Sequence, residues 1–354
     1  MSTIATSAGL SLNLSTPTIS VIIVTHNRRE LLALSLDSIQ KQEDALFETI
    51  VVDNASTDDT VAYIALNYPN IKIIHNKSNL GFCEGNNVGI RAARAPFIAL
   101  LNNDAEADPL WLRELIGGFE KQPAVAMVAS KILQYEDPSR IDKVGHLIYW
   151  DGQNRGRGMG ELDEGQYDVA EEVLWPDGCA AAYRRDAVLE VGGFDKDFFA
   201  YADDADLGFR LRLAGYKAVY VPTAKVLHRR GSTLGRTNPI RIHLIERNRI
   251  LLAFKLLPWP LLLLNPFFYG LRLARGFWAA MRGKGESAHN SQERGKLSLA
   301  ATLFKADWAA IRMMPLMWPK RREAARFQRI SSMDIFRFMW RYRISLKTLM
   351  EDQK

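Results

Sequence analysis

Cysteine is scarce in this 354-residue chain: only Cys83 and Cys179 occur, in unrelated contexts and without metal-ligand spacing. Nothing in that pattern suggests a disulfide framework or zinc, and it fits a reducing compartment. Long apolar runs are missing too. Leu251 to Leu273 comes nearest, but Lys255, Pro258, Pro260, Asn265 and Pro266 interrupt it, which predicts a segment lying in a membrane interface rather than spanning one. Residues 1–18 have neither a basic start nor an apolar core, so they read as a loose tail and not a signal peptide. Acidic residues are rare in the last third. From Arg229 onward there are 25 Lys/Arg against 8 Asp/Glu, a net of +17, while the first 228 residues hold 21 against 32, a net of −11. Such asymmetry predicts two functional regions, the basic one seeking phosphate, from lipid head groups or nucleic acid. No recognised nucleic-acid-reading motif accompanies it, which argues against nucleic acid.

What the first region has is carboxylate in unusual density. Asp203, Asp204 and Asp206 fall within four residues, and like charges so close repel unless a cation or a proton-transfer role needs them. The same acids could also simply open a helix, with Leu207, Leu211 and Ala214 behind them. Two further stations match. Asn102-Asn103-Asp104-Ala105-Glu106 ends the apolar run Phe97 to Leu101, and His228 ends a short strand pattern, Ala218 to Val221, that Pro222 interrupts before it resumes at Val226-Leu227. Hard divalent ions take oxygen ligands, and an imidazole completes the shell of Mn²⁺ more readily than that of Mg²⁺.

Residues 19–135 alternate strand and helix patterns. Strands are predicted at Ile19–Thr25, Thr49–Val52, Ile71–Ile74 and Phe97–Leu101, and helices at Arg28–Gln40, Asp58–Asn67 and Gly85–Arg94, with Leu31, Leu34 and Ile39 turned inward on the first. This predicts an α/β fold with a doubly wound, mostly parallel sheet, and it sends three polar loops to the carboxyl edge of the strands, where ligands bind: Thr25-His26-Asn27, Asp53 to Ser56, and Asn102 to Asp104. Residues 125–228 mix short strands with glycine-rich loops. Arg155 to Gly160 lacks the strand and helix of a phosphate cradle and reads as a flexible loop. Beyond residue 250, Leu297, Ala300, Phe304, Trp308 and Ile311 keep helical spacing. The tail interleaves Phe327, Phe336, Phe338, Trp340 and Tyr342 with Arg329, Arg337, Arg341 and Arg343. Interleaving of that kind suits peripheral contact with a membrane; an ordinary amphipathic helix packed on the body is the plainer reading.

In order along the chain, Val21 to Arg28, Val51 to Asp58, Asn79 to Gly89, Leu101 to Asp104, Gly192 to Asp195 and the Asp203-Asp204 region resemble the inverting family 2 glycosyltransferases of the GT-A fold. Within that family the likeness is to bacterial rhamnosyltransferase-like enzymes that build surface polysaccharides on lipid-linked acceptors. The resemblance implies a glycosyltransferase domain at 19–250, its nucleotide-binding part at 19–135 and its acceptor and catalytic part at 136–250, followed by a basic helical, membrane-associating extension at 251–354. It implies a nucleoside-diphosphate sugar donor, a glycan or polyprenyl-linked acceptor, a divalent Mn or Mg ion, and a place on the cytoplasmic face of the inner membrane. By the same resemblance Thr25, Asn27, Asp53, Asn87 and Asn103 serve the nucleotide sugar, Asp104 and His228 the metal, Asp204 is the base, and Asp203 and Asp206 support it. The first acid of the family's D-x-D motif is Asn102 here, leaving open whether Asn102 or Glu106 helps hold the ion. Two rivals remain: a nucleotidyltransferase, whose glycine-rich loop after strand one is absent from Thr25 to Arg29, and a non-catalytic nucleotide-sugar-binding protein at the membrane, which has no need of acids at 104 and 204.

Overall fold

A computed structural model describes residues 16–120, 122–231, 238–283 and 296–351, so nearly all of the expected tail at 1–18 lies outside the described residues. The first part runs β1 (Ile19–Thr25), α1 (Arg29–Gln40), β2 (Phe47–Asp53), α2 (Thr60–Asn67), β3 (Lys72–His75), α3 (Gly81–Ala92) and β4 (Phe97–Leu101). These four strands pair in parallel in the order β4-β1-β2-β3. Side chains of β1 alternate between the two faces of the sheet, Val21 and Ile23 entering one buried cluster and Ile22 the other. Each such aliphatic side chain, fully buried, contributes roughly 1.5–3 kcal/mol. On α1 the inward face is Leu32, Leu36 and Ile39; Leu34, expected inside, is 40% exposed.

Continuing the chain are β5 (Ala105–Ala107), α4 (Trp111–Glu120), β6 (Val125–Gln134), β7 (Ile141–Lys143), β8 (His146–Ile148), β9 (Asn154–Gly156), β10 (Glu171–Val173), β11 (Ala180–Arg184), α5 (Arg185–Glu190), α6 (Asp203–Leu213) and β12 (Lys217–His228). Here the expectation of a mostly parallel sheet needs correction. β11 enters antiparallel between β4 and β6, and β5, β7 and β10 also pair antiparallel, so the sheet is mixed. The short link from β6 to β7 permits only an antiparallel pair, while the long connections leading to β11 and β12 allow either direction. The two short strands expected around Pro222 are one strand, β12, whose register on β6 shifts between Val221 and Lys225; a bulge is where a strand tolerates proline. The supposedly flexible loop from Arg155 begins in a hairpin of β8 with β9, and Arg157 pairs with Glu171 over the ring of Tyr167.

Among the described residues five helices follow: α7 (Pro239–Leu256), α8 (Trp259–Met281), α9 (Lys296–Phe327), α10 (Ser332–Arg341) and α11 (Leu346–Glu351). The apolar run from Leu251 is divided between α7 and α8 at Leu257-Pro258, where the extended residue before a proline ends the first helix. No helix of the described residues is long and apolar enough to cross a membrane. Leu251 and Leu256 of α7, Ala310 and Met317 of α9, and Ile335 and Met339 of α10 share one buried cluster with Leu207 and Leu211 of α6, so a single core continues past residue 250. A buried ionic network fastens α8: Arg272 donates to Asp151 at 2.6 Å and to Glu246 at 2.8 Å, and Arg249 donates to Glu246 at 2.7 Å.

Candidate active site

The carboxyl ends of β1, β2 and β4 bring the three polar loops together. Asn103 Nδ2 donates to Thr25 Oγ1 at 3.0 Å, His26 Nδ1 donates to the Asn54 carbonyl at 2.8 Å, and Thr57 N donates to Asn27 Oδ1 at 2.7 Å. Asn27 is left-handed, at φ 51°, a conformation asparagine tolerates. Asp53 is fully buried. Its Oδ2 accepts from His75 Nδ1 at 2.7 Å and from Ser56 N at 3.1 Å, while Oδ1 has no hydrogen-bond partner among the described residues. A buried carboxylate oxygen so placed suits an N–H from outside the chain.

Beside these loops opens a cavity of about 880 Å³, lined by Asn102, Asp104, Lys143, His146, Asp177, Asp203, Asp204 and His228 among others. β4 delivers Asp104 and β12 delivers His228, paired across the antiparallel register His228 with Ala105. His228 Nδ1 donates to Asp142 Oδ2 at 2.7 Å, which fixes the ring and turns Nε2 toward Asp104 Oδ1, 3.4 Å away. A carboxylate behind one imidazole nitrogen is the usual support for metal ligation by the other. Two ligands about 2.1 Å from a divalent ion at right angles stand about 3 Å apart, near the separation seen here, so the donor set fits a hard divalent cation. Asn102 lines the same cavity, whereas Glu106 is paired with Arg229 and does not.

The acid cluster opens α6, as helix-dipole logic requires, yet its members do three different things. Asp206 is buried and neutralised by Arg210 Nε at 2.9 Å and Lys255 Nζ at 2.7 Å, tying α6 to α7. Asp204 Oδ2 lies 3.2 Å from His146 Nε2 and accepts from Gly178 N at 3.4 Å. Asp203 has its carboxyl pushed up to about 8, by burial first and then by the charges of Asp204 and Asp177, which favours its protonated form. The loop leading to them is strained: Phe199, Tyr201 and Ala202 all have positive φ, at 65°, 67° and 56°. Each such residue costs on the order of 1–3 kcal/mol and persists only if its surroundings over-determine it. Asn248 of α7 supplies that restraint, donating Nδ2 to the carbonyls of Phe198, Ala200 and Tyr201 at 3.0, 2.8 and 2.7 Å. Gly81 adds to it, since at φ 76° a Cβ there would stand 2.6 Å from the Phe199 carbonyl oxygen.

Sequence reasoning missed Lys143, His146 and Asp177. Asp177 accepts from Lys143 Nζ at 2.6 Å and from His146 Nε2 at 2.9 Å. Burial alone would depress His146, but the charges of Asp204 and Asp177 overcome it and carry the imidazole up to about 9. His146, Asp177 and Asp204 have ligand atoms within 4.8 Å of one another and form a second group able to hold a metal. The two acids share His146 Nε2 between them, however, and Lys143 already pairs with Asp177. A usable signal was present: in Val144-Gly145-His146-Leu147-Ile148 a polar residue falls on an inward-facing position. Asn87 is not brought into the cavity. Its amide clamps the backbone N–H and carbonyl of Phe194, both at 2.8 Å, and a Cβ on Gly193 would lie 2.6 Å from Asn87 Oδ1, which accounts for the glycine.

A sheet whose parallel strand ends gather three polar loops, joined to a second part that brings a metal-compatible Asp/His pair and the first-turn acids of α6 to one cavity, has the architecture of GT-A glycosyltransferases. Residues 20–192 match the model of glycosyl transferase family 2, so the chain carries a family 2 domain and is a glycosyltransferase. Among its relatives, N-acetylglucosaminyl-diphospho-decaprenol L-rhamnosyltransferase of Mycobacterium tuberculosis is 27% identical over 242 residues, 62% of this chain and 79% of that protein. The O-antigen biosynthesis protein RfbC of Myxococcus xanthus is 26% identical, over 60% of this chain and 17% of that one. The crystal structure of GalNAc-T7 with UDP, GalNAc and Mn2+ shares the fold, with a TM-score of 0.54 at 17% identity, covering 68% of this chain and 48% of that one.

Proposed function

We propose that the protein is a metal-dependent, inverting enzyme that moves a sugar from a nucleoside diphosphate, dTDP-rhamnose or a UDP-sugar, to a hydroxyl of a glycan or lipid-linked glycan during cell-surface polysaccharide synthesis. The observation that carries this reading is the meeting of Asp104 and His228 with Asp203 and Asp204 in one cavity. Thr25, Asn27, Asp53 and Asn103 hold the nucleotide, the free oxygen of Asp53 accepting an N–H of the base. Asp104 and His228, with Asn102 beside them, would hold a Mn or Mg ion, which when bound supplies positive charge to the departing diphosphate. Asp204 takes the proton of the acceptor hydroxyl as that oxygen attacks the anomeric carbon. The His146 imidazolium holds Asp204 in place through its 3.2 Å contact, and protonated Asp203 is left as a hydrogen-bond donor to the acceptor. A relative that by its name acts on a diphospho-decaprenol acceptor supports the lipid-linked alternative.

Contact with the cytoplasmic face of the inner membrane belongs to the same reading. Among the described residues, 18 of the 26 exposed large apolar side chains lie from Trp259 onward, including Leu263, Phe267, Phe277, Leu297, Phe304 and Trp308. The stripe Leu297, Phe304, Trp308 and Ile311 is the exposed face of α9, whose other face is packed through Ala306, Ala310 and Met317. Guanidinium groups stack on several of these rings, Arg282 at 3.7 Å from Trp278 and Arg343 at 4.1 Å from Trp340. Cation and aromatic together suit an anionic bilayer surface. A thermal-shift panel of nucleotide sugars with and without Mn²⁺ tests the enzymatic reading. A true donor at 100 times its dissociation constant adds about 2.7 kcal/mol of stability, and only with the ion present. No response to any nucleotide sugar would remove the reading.

A further inference from the structure

The cavity that holds the acids does not end with them. Its wall continues over Leu273, Phe277 and Met281 of α8, Leu299 and Leu303 of α9 and Met350 of α11, all apolar and all from the helices beyond residue 250. Arg155, Arg230 and Arg241 line the same space. Arg241 lies over the Tyr201 ring, 5.8 Å from its centroid, just ahead of the acid pair, and Arg230 Nε is 3.6 Å from Asp142, the residue that anchors His228. One cavity thus offers carboxylates with a metal-compatible pair, three guanidinium groups besides Arg249 and Arg272, which are committed to Glu246 and Asp151, and an apolar wall.

Its volume of about 880 Å³ lies at the upper end of the roughly 300–1,000 Å³ typical of a site for one ligand. A sugar and a diphosphate have no use for a wall of leucine, phenylalanine and methionine. Several of these side chains also reach the surface, Phe277 being 65% and Met281 63% exposed, on the same helices that carry the apolar outer face. An occupant entering there needs a hydrocarbon chain for the wall, an anionic group for the arginines, and a hydroxyl for Asp204.

We propose that the apolar part of this cavity is a subsite for a single alkyl or isoprenoid chain, the hydrocarbon end of an acceptor whose anionic head group meets Arg155, Arg230 and Arg241. The inference rests on the glycosyl-transfer reading for its account of the acceptor, but the chain subsite is testable without any reaction. Each methylene that leaves water for an apolar wall tightens binding about fourfold. Charge placed on that wall opposes the chain and leaves the head-group contacts alone.

Titration of the full-length protein with inorganic phosphate and with butyl, octyl and dodecyl phosphate, each below its micelle concentration, gives the test by calorimetry. Affinity should climb with chain length by about fourfold per buried methylene until the wall is covered, with inorganic phosphate binding weakest. Leu303→Glu and Phe277→Glu should each weaken dodecyl phosphate at least tenfold without changing the response to inorganic phosphate. Phe277 is exposed enough for its variant to fold, which an unchanged melting temperature would verify. Equal affinity along the series, or dodecyl phosphate binding that ignores both substitutions, overturns the subsite. Concentration-dependent dimerisation that Phe277→Glu abolishes and dodecyl phosphate fails to compete would overturn it too, making the face a protein interface. Failure of the glycosyl-transfer reading shows elsewhere, as no metal-dependent response to nucleotide sugars, with chain-length dependence still present.

Discussion

Two histidines in this cavity each sit between two acids, and they are wired differently. His228 meets its acids with separate nitrogens, Nδ1 to Asp142 at 2.7 Å and Nε2 toward Asp104 at 3.4 Å. His146 presents one nitrogen to both, Nε2 at 2.9 Å from Asp177 and 3.2 Å from Asp204. In the first arrangement the ring is anchored from behind and its front nitrogen stands beyond a good hydrogen bond, a separation that suits a cation between ligands. In the second a shared proton lies between carboxylates, with Lys143 completing the balance. In the proposed reaction similar residues would therefore serve opposite ends: one pair suited to the charge that leaves, the other holding the proposed base.

Breaking the base end should have the largest consequence. Asp204→Asn is expected to keep donor binding and slow transfer by roughly 10² to 10⁴, measured as kcat with the acceptor. Near-normal turnover would take Asp204 out of the chemistry. At the other end Asp104→Ala should abolish metal-dependent donor binding, with His228→Ala weakening it less, because a hard ion depends more on charged oxygen than on nitrogen. Full activity in excess chelator would contradict the pairing of these two residues with a metal.

Asn248 offers a sharper probe of how the base is held. Asn248→Ala removes the donors to three carbonyls of a loop with three left-handed residues. The expected result is a fall in kcat with the donor KM little changed and a stability loss of about 1–3 kcal/mol. Stability loss with kcat intact would make the restraint a matter of folding only.

The remaining effect concerns pH and is read on stability, not on turnover. The folded imidazole of His146 is raised to about 9 from an ordinary 6.5, so its contribution to stability is fully present below about 6.5 and is lost as pH rises through about 9. The difference is worth on the order of 3 kcal/mol. Urea midpoints at pH 6 and 9.5 should fall more for the native protein than for His146→Gln. Equal falls would mean the proton is not shared as described.

What could be read from the residues followed chain proximity. The strand-end loops at Thr25, Asp53 and Asn102 were legible because β-branched runs announce their strands and polar residues end them. That Asp104, His228 and Asp204 would share one cavity was legible through ordered motifs. Lys143, His146, Asp177 and Asn248 were not, since each acts through a partner some 30 to 60 residues distant and none lies in a dense motif. The mixed sheet was hidden for a related reason. A short apolar strand such as Ala180–Arg184 carries no mark of the direction in which it will be inserted. Asn87 misled in the opposite way, its motif being intact while its amide is spent on the Phe194 backbone.

The central claim is that the cation belongs with Asp104 and His228 and not with His146, Asp177 and Asp204. Calorimetric titration of Mn²⁺ and a nucleotide sugar into the native protein, Asp104→Ala and Asp204→Asn decides it directly. Metal-dependent binding should disappear in Asp104→Ala and survive in Asp204→Asn. The reverse pattern, binding kept without Asp104 and lost with Asp204→Asn, would move the ion to the second histidine and contradict the division of roles.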